Sequence, residues 1–268
     1  MQILVNEKSV AVDAGTTLFQ VRDRFKPAAD VLIFNGFPLQ GDRPLEHGDR
    51  IVLIRRGEQP AADELEGLLV SRHTPGVHAR IRGACIGIAG AGGLGSAVAI
   101  ALARLGIGAL ILADFDVVEP SNLNRQQYFI DQIGLPKVQA LRDNLARINP
   151  YVRLTVFNER LTPHNIPAVF ADVAVLVEAF DAADQKAMLV ETFLGANPDT
   201  PLVAASGLAG YGPSGTLRTR RLARNLYVVG DGETAARPGE GLMAPRVGVA
   251  AHHQANAVLR LLLGEEPA

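Results

Sequence analysis

The sequence predicts an α/β protein in which a mostly parallel sheet with flanking helices follows a smaller α+β unit at the N-terminus. Three observations carry that expectation. From about residue 65 onward, short apolar and β-branched runs alternate with stretches of helical periodicity, the pattern of βαβ units. Residues 1–57 instead crowd four short apolar runs and one helix into a space too small for that alternation. The 268 residues include 27 glycines and no tryptophan, which fits many tight strand-to-helix turns.

The N-terminal elements come first. Ile3 and Val5, then Val10 and Val12, alternate about a polar Asn6-Glu7-Lys8 turn as a β-hairpin does. Thr16 can cap a helix over Leu18–Phe25, with Leu18, Val21 and Phe25 on one face. Strands follow over 31–34 and 51–54, separated by the turn signals Asn35-Gly36 and His47-Gly48-Asp49. This ββαβ…β order resembles the β-grasp of ubiquitin-like sulfur carriers of the ThiS and MoaD type, a generic small α+β cap being the alternative. The sequence therefore divides into a β-grasp domain at 1–57, a polar linker at 58–64 and a nucleotide-binding domain at 65–268.

In the larger part, a short helix near Leu65–Val70 leads to a buried-type strand at 84–89 and a helix at 93–105. A second strand spans 110–113, and a helix over Lys137–Ile148 stops at Asn149-Pro150. Strands are expected at 152–157, 173–177 and 202–205, a helix over 182–194, and a long closing helix over 247–263.

Composition narrows the function classes. A formal net charge of -2 gives no electrostatic footprint for nucleic acid or an anionic membrane. The N-terminus lacks a targeting pattern, and no apolar run nears the roughly 20 residues that span a bilayer, so a cytoplasmic protein is expected. A single cysteine, Cys85, excludes an internal disulfide, a Cys-based zinc site and C-x-x-C chemistry within the chain. Lying in the first strand of the larger domain, Cys85 reads as a core side chain rather than a nucleophile. His252-His253 falls inside an apolar helix at a spacing wrong for a shared metal face, and reads as packing or helix surface.

The chemistry-bearing run opens with Gly90-Ala91-Gly92-Gly93-Leu94-Gly95, placed between a strand and a helix. Gly90, Gly92, Gly93 and Gly95 permit a tight turn and close backbone approach to a ligand, and the helix N-terminus favours phosphate. Asp114 ends the second strand, where it can accept hydrogen bonds from ribose hydroxyls. To this point an NAD-dependent oxidoreductase and an ATP enzyme are equally served. Arg125 and Lys137 favour ATP, because a triphosphate brings about four negative charges to be held while the α-phosphorus is attacked. Arg125 offers a planar fork and Lys137 a compact charge at a helix start, where positive charge is disfavoured unless an anion is near. Asp181, after the strand at 173–177, reads either as the N-cap of the next helix or as a carboxylate for Mg²⁺ bridging phosphates.

The segment Asp114-Phe115-Asp116-Val117-Val118-Glu119-Pro120-Ser121-Asn122-Leu123-Asn124-Arg125-Gln126 closely resembles the D-x-D-x-V-x-x-S-N-L-x-R-Q marker of the ThiF, MoeB and ubiquitin-activating-enzyme superfamily. The resemblance covers roughly residues 65–263 and implies a Rossmann-like fold binding ATP and Mg²⁺. It implies that Asp114 holds the ribose, that Asn122, Arg125 and Lys137 contact phosphates, that Asp116, Ser121 and Asn124 belong to the same nucleotide-binding segment, and that Asp181 binds Mg²⁺. It further implies adenylation of a carrier protein's terminal glycine carboxylate, with release of pyrophosphate, by a homodimer. Family members send an N-terminal arginine to the partner's triphosphate. Arg72 stands in about that place and reads equally as a solvated helix-end charge.

Departures from the family narrow the expectation. The chain cannot carry two C-x-x-C pairs, so no zinc is expected, and the stretch 230–243 has no cysteine to take the carrier as a thioester or persulfide. The mechanism is expected to stop at the adenylate, with a separate persulfide donor supplying sulfur. The pattern, including Met243-Ala244-Pro245-Arg246-Val247, resembles shorter ThiF-like enzymes linked to thiamine thiazole synthesis. The N-terminal β-grasp unit continues past Arg55-Arg56-Gly57 and lacks a free Gly-Gly end, so it cannot be the substrate uncleaved. Tyr211 is a candidate for lining the acceptor channel. Two other readings stay open: dehydration of a modified tRNA base driven by adenylation, and a non-catalytic nucleotide-sensing module.

Overall fold

The computed structural model describes residues 1–267, which form two compact units, Met1–Pro75 and Gly76 onward. In the first, β1 (Gln2–Val5) and β2 (Lys8–Ala11) form the expected hairpin, followed by α1 (Leu18–Phe25), β3 (Val31–Phe34), β4 (Phe37–Pro38) and β5 (Arg50–Ile54). The strand order is β2-β1-β5-β3-β4, with β1 and β5 parallel and the other pairs antiparallel. Ile3, Val5, Leu18, Val21, Ile51 and Leu53 build its core between sheet and helix.

Local details depart from the sequence reading. Thr17, not Thr16, caps α1, exchanging hydrogen bonds with Gln20 in a capping box, while the Thr16 hydroxyl donates to the Asp13 carbonyl. Leu18 and Val21 are buried as expected, but Phe25 is 41% exposed, with the Arg24 guanidinium 5.0 Å over its ring. The next helix, α2 (Ala62–Val70), starts inside the stretch expected to be linker and belongs to the N-terminal unit. Its first turn is tied there: Asn6 donates to Glu64 at 3.1 Å, and Lys8 pairs with Asp63 at 3.3 Å.

The second unit runs α3 (Val77–Ile81), β6 (Cys85–Ala89), α4 (Gly93–Arg104), β7 (Ala109–Ala113), α5 (Lys137–Ile148), β8 (Arg153–Phe157), α6 (Ile166–Val169), β9 (Val175–Glu178), α7 (Ala183–Ala196), β10 (Leu202–Ala205), β11 (Arg218–Ala223), β12 (Leu226–Gly230) and α8 (Ala244–Leu262). Its seven strands lie in the order β11-β12-β10-β9-β6-β7-β8, parallel except for the β11–β12 hairpin. That hairpin was not anticipated: Arg218-Thr219-Arg220-Arg221 is mostly exposed and lacks the apolar signal of a strand, whereas Leu226-Tyr227-Val228-Val229 carries that signal and was passed over. The sheet separates two apolar layers. Ile81, Val98, Leu141 and Val258 of α3, α4, α5 and α8 pack on one face with Ile86 and Ile88. Ile166, Leu189 and Phe193 of α6 and α7 pack on the other with Leu176 and Leu202. The expected Rossmann-like architecture is therefore present. Among the described residues, no helix is long and apolar enough to cross a membrane.

The strand order fixes where a ligand can sit. The chain runs outward through β6, β7 and β8, then returns to the other side of β6 for β9, β10 and β12. The order reverses between β6 and β9, and at such a switch point the loops leaving the two carboxyl ends diverge and open a crevice.

Candidate active site at the carboxyl edge of the sheet

A cavity of about 560 Å³ lies at that switch point. On the β6 side its wall is the turn Gly90–Gly95. Gly90 has φ +98°, and a Cβ there would come 2.7 Å from the Ala179 carbonyl oxygen at the end of β9. A Cβ on Gly95 would run into the Gly90 carbonyl oxygen, so glycine at both positions is what lets α4 start so close to the strand. Gly92 differs: a Cβ there meets nothing nearer than Gln126 Nε2 at 3.8 Å, which leaves the space above it to a ligand.

Asp114, just past β7, holds this turn. Its Oδ2 accepts from the Ala91 N–H at 2.6 Å and its Oδ1 from the Asp116 N–H at 2.8 Å. Burial raises its pKa above the ordinary carboxylate value, against the opposing pull of those two N–H donors and Lys137. Asp114 lines the cavity, and each of its carboxylate oxygens keeps a further lone pair beyond the one hydrogen bond it accepts. Tyr128, buried beneath the turn, donates to the Ala91 carbonyl at 2.6 Å, and burial raises its hydroxyl pKa.

Lys137 opens α5 and is 8% exposed at its side chain. Its Nζ is 2.8 Å from Asp116 Oδ2. Arg125 follows the one-turn helix Pro120–Asn124, where the Asn122 side chain accepts from the Glu119 N–H and fixes the turn. Arg125 Nη1 reaches Asn124 Oδ1 at 2.8 Å and the Ser121 carbonyl at 3.4 Å, and its other guanidinium nitrogens have no protein partner among the described residues. Asp181 is exposed and makes no hydrogen bond or ion pair among the described residues. It is not the N-cap of α7; Ala182 is, without a side-chain cap.

The cavity lining thus brings together Gly90, Gly92, Gly93, Asp114, Asp116, Arg125, Lys137 and Asp181. Gly95, Ser121, Asn122 and Asn124 shape the turns behind that lining without being part of it. Arg72 lies in the N-terminal unit, its Nη2 3.4 Å from Glu7 Oε1. Tyr211 is 91% exposed and does not line the cavity. His252 is exposed, its Nδ1 2.7 Å from the Gly248 carbonyl, and His253 is half-buried. Cys85 is half-buried against the α6–α7 layer; burial raises its thiol pKa, Arg153 opposing and Asp172 adding to the shift.

Sequence reasoning missed three features of the wall. Lys186 donates to both Glu178 oxygens at 2.9 and 3.0 Å and to the Ala205 carbonyl at 3.1 Å, with Glu178 fully buried. Gln126 is buried, and its carboxamide oxygen has no hydrogen-bond partner. It adjoins Arg125 within the marker segment, so a signal was available. Arg160 and Phe115 form a cation–π pair at 4.8 Å where the lining follows β7 and β8.

The ThiF family model matches residues 68–268. The chain belongs to the ThiF family. A ThiS-like ubiquitin model matches residues 1–57, confirming the β-grasp resemblance. Among ThiF-family relatives, the molybdopterin-synthase adenylyltransferase of Salmonella typhimurium is 34% identical over 183 residues, 65% of this chain and 71% of that one. The sulfur carrier protein ThiS adenylyltransferase of Escherichia coli is 34% identical over 184 residues, 67% of this chain and 72% of that one. The solved E. coli tRNA N6-threonylcarbamoyladenosine dehydratase in complex with ATP superposes with a TM-score of 0.65 at 26% identity, covering 74% of this chain and 93% of that one.

Proposed function

We propose that this chain binds ATP with Mg²⁺ and adenylates the C-terminal glycine carboxylate of a ubiquitin-like sulfur carrier. One observation carries the reading: Asp114, Arg125, Lys137 and Asp181, far apart in sequence, converge with the Gly90 turn on a single cavity. The adenylyltransferase names of relatives that match two thirds of the chain support the same chemistry.

In this reading the cavity divides along the strand order. Asp114 after β7 takes the ribose, the Gly90 turn after β6 takes the phosphates through its N–H groups, and Arg125 and Lys137 neutralise them. The loops after β10 and β12 are left for the acceptor. Mg²⁺ held by phosphate oxygens needs only one or two protein carboxylates, which the exposed, unpaired Asp181 fits; when bound it withdraws charge from the phosphates. The acceptor is already a carboxylate at neutral pH, so no general base is needed. Its oxygen bonds to the α-phosphorus as the bond to the bridging β-oxygen breaks, and pyrophosphate leaves with that electron pair. Arg125 and Lys137 stabilise the charge developing on the departing oxygens.

In the same reading the enzyme works as a homodimer, with Arg72 reaching the partner's ATP, and sulfur reaches the adenylate from a separate persulfide donor, in thiamine thiazole synthesis or a related sulfur-transfer route. Carrier-dependent ATP–pyrophosphate exchange tests it. Exchange should need Mg²⁺ and a carrier ending in a free Gly-Gly, and its absence with every such carrier would sink the assignment. A second reading, adenylation of a modified tRNA base, is favoured by the likeness to the ATP-bound dehydratase. Turnover of ATP stimulated by tRNA and indifferent to carriers would select it, and ATP binding without turnover of any kind would select a sensing module.

A further inference from the structure

The loops left for the acceptor share one buried anchor. Arg246, in the first turn of α8, is 5% exposed, although an arginine normally keeps its charge in water. Its Nη1 donates to the carbonyls of Gly212 and Pro213 at 2.9 and 3.0 Å. Its Nη2 donates to Thr216 Oγ1 at 3.2 Å and to Asp231 Oδ2 at 2.6 Å. Its Nε has no partner, so the site is held by the other two nitrogens alone.

Asp231 carries the connection onward. Its Oδ1 accepts from the N–H groups of Glu233 and Thr234, at 2.8 and 2.9 Å, and its Oδ2 from the Thr234 hydroxyl at 2.9 Å. Burial alone would raise its pKa, but these donors and Arg246 outweigh it and hold the carboxyl below its ordinary value. Its backbone N–H donates to the Gly207 carbonyl at 2.9 Å, and the Gly232 N–H to the Ser206 carbonyl at 3.1 Å. Gly207 has φ +77°, and a Cβ there would run into Asp231 Oδ1, so the two loops meet backbone to carboxylate. Arg220 of β11 adds a bond to the Asp231 carbonyl at 3.2 Å.

Four segments therefore meet at one ion pair: the loop after β10, the turn at 212–216, the loop after β12 and the start of α8. Three of them supply cavity wall, through Ser206–Ala209, Gly232–Ala236 and Val247. None of the nucleotide-side residues hydrogen-bonds to the pair, although Val247, next to it on α8, packs against Gly93 of the Gly90 turn. The Gly90 turn, Asp114, Arg125 and Lys137 have their own anchors in Tyr128, Ala91, Asn124 and Asp116.

We infer that Arg246 and Asp231 are positioning residues for the acceptor: their buried ion pair holds the loops at 206–210 and 231–236 in the shape that receives the attacking carboxylate, while the nucleotide end has hydrogen-bonded anchors of its own. The inference rests on the adenylation reading for the identity of the acceptor but not for the clamp itself. A fork that spans two carbonyls, a hydroxyl and a carboxylate on different segments fixes their separation, and misplacing an acceptor by about 1 Å costs on the order of a hundredfold in rate.

The test uses the full chain, with ATP and a recombinant ubiquitin-like carrier bearing a free Gly-Gly end. Arg246→Met and Asp231→Asn should raise the carrier KM in pyrophosphate exchange by about tenfold or more, within that positioning range. The ATP Kd, measured by calorimetry without carrier, should stay within about twofold, below the effect of losing even one good hydrogen bond. Arg246→Lys, which can reach Asp231 but cannot span both carbonyls, should recover part of the loss. An unchanged carrier KM, or an ATP Kd weakened as much as the carrier KM, overturns the inference. Amide exchange gives a readout free of any carrier. In Arg246→Met, protection should fall at 206–216 and 231–236 and persist at 90–95. Unchanged protection in both loops refutes the clamp even if no carrier-dependent exchange is found, whereas absent exchange with the loops loosened refutes only the adenylation reading. If Arg246→Met does not fold, Arg246→Lys and Asp231→Asn carry the same comparison.

Discussion

Replacing Lys137 by methionine keeps the apolar stem that fills the start of α5 and deletes only the charge. The structure sets two magnitudes against each other. With Nζ and Asp116 Oδ2 2.8 Å apart, the Coulomb energy is about 1.5 kcal/mol at the permittivity of water and about 6 at an effective value of 20. Asp116 is 49% exposed at its side chain, so its charge is readily resolvated and the pair adds only about 0–1 kcal/mol to stability. For a unit of this size that is a fall in Tm of at most about 4 °C. If Lys137 also holds the transferring phosphates, exchange loses about 3–4 kcal/mol of transition-state stabilisation, roughly a hundred- to a thousandfold in rate. The assay is pyrophosphate exchange beside thermal unfolding, with Asp116→Asn as the partner variant. That variant breaks the same ion pair but leaves the cation in the cavity, so it should show the modest fall in Tm and keep most of the exchange. A folded Lys137→Met protein with exchange within about threefold of normal would refute the phosphate role.

Asp181→Asn should leave Tm unchanged within error, since the exposed carboxylate makes no protein contact, yet abolish Mg²⁺-dependent exchange; a normal Mg²⁺ titration would count against the metal role. Gly95→Ala should destabilise the unit by forcing its Cβ onto the Gly90 carbonyl, whereas Gly92→Ala should fold normally and weaken ATP binding; equal effects on both assays would undo the distinction drawn between the two glycines. The raised pKa of Asp114 has a signed consequence: the folded state binds its proton more tightly than the unfolded one, so this group's contribution to stability declines as pH rises from the ordinary carboxylate value through the raised one. Asp114→Asn should flatten that slope of Tm against pH, and an unaltered slope would remove Asp114 as its source. Cys85→Ala should cost about 1 kcal/mol through lost packing and leave no change in carrier adducts on non-reducing gels, whereas a reductant-sensitive adduct that disappears in the variant would make the thiol chemical.

The parts of the site that were legible in the sequence are those whose information is local. Gly90–Gly95 between a strand and a helix, and Asp114 through Arg125 in one run, declare themselves by spacing. Lys137 and Asp181 declare themselves by following recognisable strand and turn signals. What the sequence could not display is any pair made only by tertiary folding. Glu178 and Lys186 sit on β9 and α7, Asp231 and Arg246 on a loop and α8, and as residue types each reads as an ordinary surface charge. Arg218-Thr219-Arg220-Arg221 hid an edge strand for the same reason: an edge carries charge where a central strand carries valine. The Thr16–Thr17 discrepancy is a different failure, since two adjacent threonines can each cap and only the backbone geometry at Thr17, φ -99° and ψ 165°, decides between them.

Four cations line the cavity with partners already in place. Arg160 lies over the Phe115 ring; for the other three, Lys186, Lys137 and Arg125, the burial of the partner, not of the cation, separates their roles. Lys186 spends all three donors on Glu178 and Ala205, and Glu178 has no exposure at all. Drawing Lys186 onto a phosphate would leave that carboxylate buried and unpaired, a cost of about 3–5 kcal/mol that a single phosphate contact does not recover. Lys186 therefore serves the wall, tying β9 to α7 and β10 beside the turn that carries Asp181. Lys137 faces the opposite situation. It is the more buried of the two lysines, yet Asp116 is half in water and can release it at the cost of an exposed ion pair, about 0–1 kcal/mol. Arg125 is held more lightly still, by a neutral amide and a carbonyl, with the rest of its fork open. Of these three, the two side chains that can turn to a triphosphate at little cost are thus the two that the marker segment and the start of α5 place there, and the one that cannot is the lysine that no sequence pattern singled out.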